Sequence, residues 1–423
     1  MAQSETPGTF CILPWTHVFS EQRGVMYPCC RGLNAQTPNV DENGKPYRIW
    51  EIETIDEAWN SGFMKSLRRD LLTEGRPAAC ESCFLYEDQG AESPRQLWNR
   101  LHAAKVPEIL ATADPSGTAP PVIRSFDVFL GNLCNLRCRM CYPVASKALI
   151  REWPELHGVP EDDPELVEAR NLDWFEDPGF WKRFEAMTEH VEVIHFAGGE
   201  PLLHAQMFDF LERLIASGRA STMSLSYNSN LTIIPDRLFD LWPQFRGVNL
   251  VASLDGVGEV NELIRNPSDW SKIDRNLRFV GANADRLNIT DLTINTTVQV
   301  YNILTLAEVA EYVLSLERFS PYPLLTLLEH PKWLSITILP HELKVEAAAR
   351  LRAYLERAAD RMAVRSESQT RRFVRAVNGI IGHMMQSDHT ALIPRFVQTS
   401  RTYDRNRGED VVRTIPELAP LFG

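Results

Sequence analysis

No cysteine follows position 141 of the 423-residue chain. All eight lie before it: Cys11, Cys29, Cys30, Cys80, Cys83, Cys134, Cys138 and Cys141. A disulfide framework is spread through a small secreted domain. Local pairs and a triplet in a long chain read instead as metal ligation in a reducing compartment. No apolar run approaches the roughly 20 residues of a membrane-spanning helix. The opening MAQSETPGTF lacks the basic stretch and apolar core of a secretory signal. The chain is therefore expected in the cytoplasm and off the membrane. Positive charge is also short, with 44 Lys+Arg against 56 Asp+Glu, a net −12. That argues against broad binding of nucleic-acid backbone, which needs a positive surface, and leaves room only for a local basic groove. There is no internal repeat and no low-complexity block. What remains, 44% hydrophobic and 24% charged residues, is ordinary globular composition.

The clearest linker is ATADPSGTAPP, residues 111–121, which has no apolar period. It separates a cysteine-bearing region from an alternation of strands and helices. Strands are predicted in SFDVFL, which leads to Gly131 and the triplet, and at 191–199, 222–230, 247–256, 292–300 and 334–340. Helical periods fall at 207–218, 235–245, 270–284 and 306–319. Strand and helix alternate six times, the signature of a parallel sheet with crossover helices, open or closed into a barrel. Residues 341–423 are mostly helical by period. The expected domains are 1–118, 119–340 and 341–423.

Cys134, Cys138 and Cys141 form C-x3-C-x2-C in GNLCNLRCRMCYP. Three thiolates on a short loop can hold three irons of one [4Fe–4S] cube and leave the fourth iron open to a substrate. A pure electron carrier takes four cysteines. The loop follows a strand, at the end where barrel enzymes carry out chemistry.

This triplet, with apolar Met140 before its last cysteine and Gly198-Gly199-Glu200-Pro201 ending the next strand, resembles the radical S-adenosylmethionine (radical SAM) superfamily. The resemblance implies α/β architecture with a partial (β/α)6 TIM-type barrel and a [4Fe–4S] cluster that binds SAM. It gives the GGEP residues to the methionine amino group, Ser253 and Asp255 to the ribose and Arg265 to the carboxylate. It turns Asn228 and Asn230 toward SAM or substrate and packs Tyr142 on the adenine. Plainer readings stand beside these: a turn at Asp255-Gly256, a surface charge at Arg265, caps at the asparagines and barrel packing for Tyr142.

Cys11, Gly24 and Cys29 stand in C-x12-G-x4-C, similar to the opening of the SPASM/twitch auxiliary-cluster domain. Cys80-x2-Cys83 would complete four ligands. The resemblance thus implies an N-terminal iron–sulfur domain with one auxiliary [4Fe–4S] cluster. Four cysteines also suit a structural zinc. Two features depart from the family pattern: such cysteines normally follow the barrel, and a full SPASM set has seven. Cys30 is left over as a buried structural thiol, an alternative ligand or a hydrogen-atom donor. Trp15, His17, Trp50, Trp59 and Trp98 read as core for this region. The polar run 90–100 reads as a return toward the barrel, and 401–412 as a solvated loop or part of a substrate mouth.

The implied activity is that of an oxidoreductase: reductive cleavage of SAM, hydrogen abstraction from a small molecule or short peptide, and net two-electron oxidation through the auxiliary cluster. An electron donor such as flavodoxin or ferredoxin would reduce the first cluster. The alternatives are a peptide epimerase using Cys30 and a non-catalytic iron–sulfur or zinc protein.

Overall fold

The computed structural model describes residues 6–88, 92–363 and 366–423. Gly90 and Ala91 of the polar run 90–100, and the first five residues of the N-terminal stretch, lie outside them. The chain forms two compact units that do not follow chain order. The first comprises 1–132, 172–226 and 244–246, and the second 133–171, 227–243 and 247–423.

In the first unit, strands β1 (His17–Ser20), β2 (Met26–Tyr27), β3 (Ser125–Leu130) and β4 (Val193–Gly198) lie in the order β2-β1-β3-β4. β1 pairs antiparallel with β2 and parallel with β3, and β3 pairs parallel with β4. The short strands β1 and β2 carried no clear sequence signal. Backbone pairing therefore joins the N-terminal region to β3 across residues 111–121. That linker is itself pinned: Arg68 donates to the Gly117 carbonyl at 3.1 Å, Trp59 to that of Pro120 at 3.0 Å, and Asn60 to that of Ala119 at 3.0 Å. Arg68 is wholly buried, and its other bonds go to the carbonyls of Pro14 and Trp59 and to Asn60.

One face of β1, β3 and β4 is core. Val18, Phe126, Val128, Leu130, Ile194 and Phe196 are all buried. Helix α1 (Pro178–Met187) covers it because Asp177 caps its first turn through the Gly179 and Phe180 amides, while Phe180, Trp181, Phe184 and Met187 fall on one face. Phe184 meets Phe126 at 5.2 Å and Phe210 of helix α2 (Ala205–Ala216) at 5.2 Å. Truncating such a ring to alanine costs about 3–5 kcal/mol.

Strand β5 (Ser224–Ser229) spans the boundary between the units. In the second unit, β6 (Gly247–Ser253), β7 (Ile289–Val298) and β8 (Leu324–Leu327) are parallel neighbours, with helices α3 (Trp270–Ala282) and α4 (Leu306–Ser315) between them in sequence. The mixed α/β fold with alternating parallel strands and helices matches expectation. The segment 334–340 does not: it forms two 3-10 turns, Lys332–Leu334 and Ile336–Ile338, and the strand is β8 instead. Ser335 caps the second turn by accepting from the Thr337 amide, and residues 334–339 are buried on every side. An apolar run enclosed all round carries no alternation to hold it as a strand.

Helices α5 (His341–Ala363) and α6 (Glu367–Gln386) pack as a pair, followed by α7 (Ile393–Arg407). Leu343, Ala347, Leu351, Tyr354, Ala358 and Met362 recur every three or four residues and join Phe373, Val377, Ile380, Ile381 and Met384 in one core. No helix among the described residues is long and apolar enough to cross a membrane.

Candidate functional site: two cysteine constellations

The triplet loop belongs to the second unit and is held on both flanks. The Leu136 amide donates to Cys134 Sγ at 3.4 Å, and the Arg139 amide to the Ile264 carbonyl at 2.8 Å. Asn230 places Nδ2 4.0 Å from Cys134 Sγ and 3.0 Å from Asn135 Oδ1, and Asn135 in turn donates to Thr232 at 2.7 Å. Cys138 and Cys141 share a hydrogen bond. With the Arg265 guanidinium nearby, it holds the Cys138 thiol below its ordinary range, while Cys141 is raised.

Asp255 and Arg265 form a buried ion pair, Oδ2 to Nη2 at 2.8 Å. The other Asp255 oxygen accepts from the Thr297 amide at 2.7 Å, and Asn302 donates to its carbonyl. Burial raises the pKa of Asp255 even so. Its oxygens thus serve Arg265 and the strand end, and the residue is fully enclosed. Arg265 keeps a buried Nε–H with no hydrogen-bond partner. A buried unpaired donor on a guanidinium is costly unless an anion meets it. Ser253 ends β6 half-buried, and Asn228 is exposed on β5.

A cavity of about 280 Å³ opens beside Cys141, with Met140, Tyr142, Trp153, His157, Trp333 and Tyr403 among its walls. The Trp153 indole and the His157 ring stack at 3.7 Å. Residues 401–407 are not a solvated loop: they complete α7, with Gly408 as its left-handed cap, and Tyr403 among them lines the cavity beside Cys141. Tyr403 is buried, Arg407 pairs with Glu152, and Asp404 reaches Arg139.

The first unit holds the GGEP segment. Gly198 has φ +124°, and a Cβ there would stand 2.5 Å from the Leu130 amide nitrogen, so only glycine fits. The Gly199 amide donates to the Gly131 carbonyl at 3.1 Å. Glu200 and Pro201 are buried, and Glu200 accepts from the Leu202 amide.

The same unit gathers the N-terminal thiols. Burial pushes Cys29 and Cys80 up to about 12, and Cys11 higher still. Repulsion adds to each rise: Cys80 and Cys83 act on Cys11, Cys11 and Cys83 on Cys29, and Cys29 and Cys83 on Cys80. Buried thiols that oppose one another's ionisation are what a cationic core compensates, since metal ligation takes them as thiolates. Among the described residues, no three His, Cys, Asp or Glu side chains are set as one metal ion requires. A single zinc would draw its thiolates to about 3.8 Å from one another, given Zn–S of about 2.3 Å. A cube binds each thiolate to a separate iron and tolerates wider spacing. By donor chemistry the four cysteines fit such a cluster.

Gly24 of C-x12-G-x4-C has φ +80°, and a Cβ would fall 2.4 Å from the Trp50 ring. Sequence reading missed the role of the run that follows Cys83. Asn99 accepts from the Ile12 amide at 2.8 Å and donates to the Phe10 carbonyl at 2.7 Å, gripping both sides of Cys11. Arg95 is buried, donates to the same Phe10 carbonyl at 2.6 Å and pairs with Glu87 at 2.5 Å. The segment 92–100 thus frames Cys11. Cys30 is exposed, which corrects the expectation of a buried structural thiol. Trp15 and Trp59 are core as expected, whereas Trp98 is exposed.

Residues 128–298 match the family model described as the Radical SAM superfamily. No curated relative matches. Among solved structures, the chain is similar to native anSMEcpe with bound AdoMet, at 14% identity and a TM-score of 0.34, over 55% of this chain and 61% of that one. It is also similar to Streptococcus suis SuiB bound to the precursor peptide SuiA, at 12% identity and 0.34, over 67% and 59%. TYW1 with a lysine-pyruvate adduct matches at 15% identity and 0.29, over 55% and 73%. The chain spans about three fifths of the length of the first two.

Proposed function

We propose that this chain is a radical SAM oxidoreductase acting on a small molecule or short peptide. The observation that carries the reading is the held C-x3-C-x2-C loop together with Arg265, whose buried Nε–H lacks a partner. Cys134, Cys138 and Cys141 would hold a [4Fe–4S] cluster, and SAM bound to it supplies a 5′-deoxyadenosyl radical that takes a hydrogen atom from substrate. Arg265, fixed by Asp255, orients the SAM carboxylate. Asn230 steadies Cys134 and its loop. Gly198, Gly199, Glu200 and Pro201 present backbone and a buried carboxylate to the SAM amino group, with Ser253 toward the ribose. Asp255 contributes by positioning Arg265 rather than by direct contact. Met140 and Tyr142, in the wall of the cavity beside Cys141, offer packing for the adenine.

Cys11, Cys29, Cys80 and Cys83 would hold an auxiliary [4Fe–4S] cluster. Four thiolates close that site, which suits an electron acceptor and hence net two-electron oxidation. An external reductant of the flavodoxin or ferredoxin class and a cytoplasmic setting follow from the same chemistry. The exposure of Cys30 favours one second reading, epimerisation, because a hydrogen donor must reach substrate. The test is anaerobic reconstitution followed by SAM and reductant, with 5′-deoxyadenosine as the readout. Absence of that product from an iron-loaded protein defeats the proposal.

A further inference from the structure

Strands β1, β3 and β4 have a second face, and the chemistry above leaves it unused. The register sets His17 beside Ser125, Phe19 beside Asp127, and Asp127 beside His195. Side chains two apart share a face. His17, Phe19, Ser125, Asp127, Phe129 and His195 therefore stand together, opposite the aromatic core. His17 Nδ1 lies 2.8 Å from the Ser125 hydroxyl, and His195 Nδ1 lies 2.9 Å from that of Ser226. His17 Nε2 stands 3.8 Å from Asp127 Oδ2.

Asp127 is the one carboxyl group of this row, and burial raises its pKa, so a cation brought to it would favour its ionised form. Its carboxylate is 29% exposed and accepts no hydrogen bond among the described residues. Burial holds His17 at about 4 and also lowers His195, so both imidazoles are neutral near pH 7. No cation on the row neutralises the carboxylate. Phe19 and Phe129 meet at 5.1 Å on the same face and supply an apolar shelf. A half-buried carboxylate without donors, between neutral rings and beside aromatic faces, matches an aliphatic ammonium group.

We propose that Asp127, flanked by His17 and His195, binds an aliphatic ammonium group of the substrate. The term substrate rests on the radical SAM reading; the site itself does not. Each histidine is a positioning residue, fixed by its serine, and Asp127 makes the contact.

The test is calorimetry on the reconstituted full chain with three probes: n-butylammonium, 1-butanol and butanoate. The wild type should bind n-butylammonium, bind 1-butanol more weakly and reject butanoate. Asp127→Asn, nearly equal in shape, should weaken n-butylammonium at least tenfold while leaving the circular dichroism spectrum and melting temperature unchanged. His195→Gln should weaken it less, because the carboxylate remains. Wild-type protein that does not bind n-butylammonium at millimolar concentration overturns the proposal. So does butanoate binding equal to n-butylammonium, or an Asp127→Asn variant that binds as tightly as wild type. If Asp127→Asn misfolds, Asp127→Glu, which keeps the charge, decides the case by retaining binding or, if it folds and does not bind, by overturning it. Formation of 5′-deoxyadenosine by wild type is measured apart and bears only on the radical SAM reading.

Discussion

Arg139 Nη2 stands 2.6 Å from Asp404 Oδ1, joining the middle of the cysteine triplet to a helix 265 residues later. Glu409 meets the same nitrogen at 2.6 Å, and the guanidinium lies 5.2 Å from the Tyr301 ring and 5.1 Å from that of Tyr403. Arg139 is wholly enclosed. The C-terminal helical segment therefore braces the loop that would carry the first cluster. Arg139→Met should cost about 3 kcal/mol, because it leaves two largely buried carboxylates without their partner. Thermal unfolding of the purified protein measures the loss. An unchanged melting temperature would mean that the brace contributes nothing.

Two cubes require about eight irons per chain. Replacing Cys134, Cys138 and Cys141 together by Ala should leave about four. Replacing Cys80 and Cys83 should also remove about four, yet keep part of the 5′-deoxyadenosine formation. Iron and acid-labile sulfide assays read both variants. Iron content that stays constant in the triple variant removes the triplet from the list of cluster sites.

Arg265 has a separable role. Arg265→Lys keeps a charge near Asp255 but loses the planar donor set. Its affinity for SAM should fall by about tenfold or more, with iron content unchanged. Equilibrium binding of SAM to the reconstituted protein tests this, and wild-type affinity in the variant would return Arg265 to a structural role.

His17 sets a pH dependence. Burial holds its folded pKa at about 4, against an ordinary value of 6.5. Above pH 6.5 both folded and unfolded states carry it neutral, so it does not affect stability. Between pH 6.5 and 4 the unfolded state binds the proton first, and stability falls as pH falls, by about 3 kcal/mol over the window. His17→Gln, which cannot titrate, should lose less stability over that range. Denaturant titrations at pH 6.5, 5 and 4 compare the two, and parallel losses would show that His17 is not responsible.

Short-range order was legible in the sequence. The six-fold alternation and the C-x3-C-x2-C and GGEP segments depend on neighbours within a few residues, and both motif segments lie inside the matched residues 128–298. The strand expected at 334–340 failed for a local reason: a run buried on all sides has no period to read. The reading of Cys30 as a buried structural thiol failed because exposure depends on neighbours that composition does not name.

What only the tertiary structure decided is which distant side chains meet. Asn99 lies 87 residues from Ile12, Arg139 lies 265 from Asp404, and His17 joins Ser125 through a strand of four residues that no alternation announced. Asp127 and His195 alternate with apolar neighbours, so each could be placed on the polar side of its strand, but not beside the other. The pairing register that brings them together is a property of two strands, and hydrogen bonds between strands leave no mark on the sequence of either one.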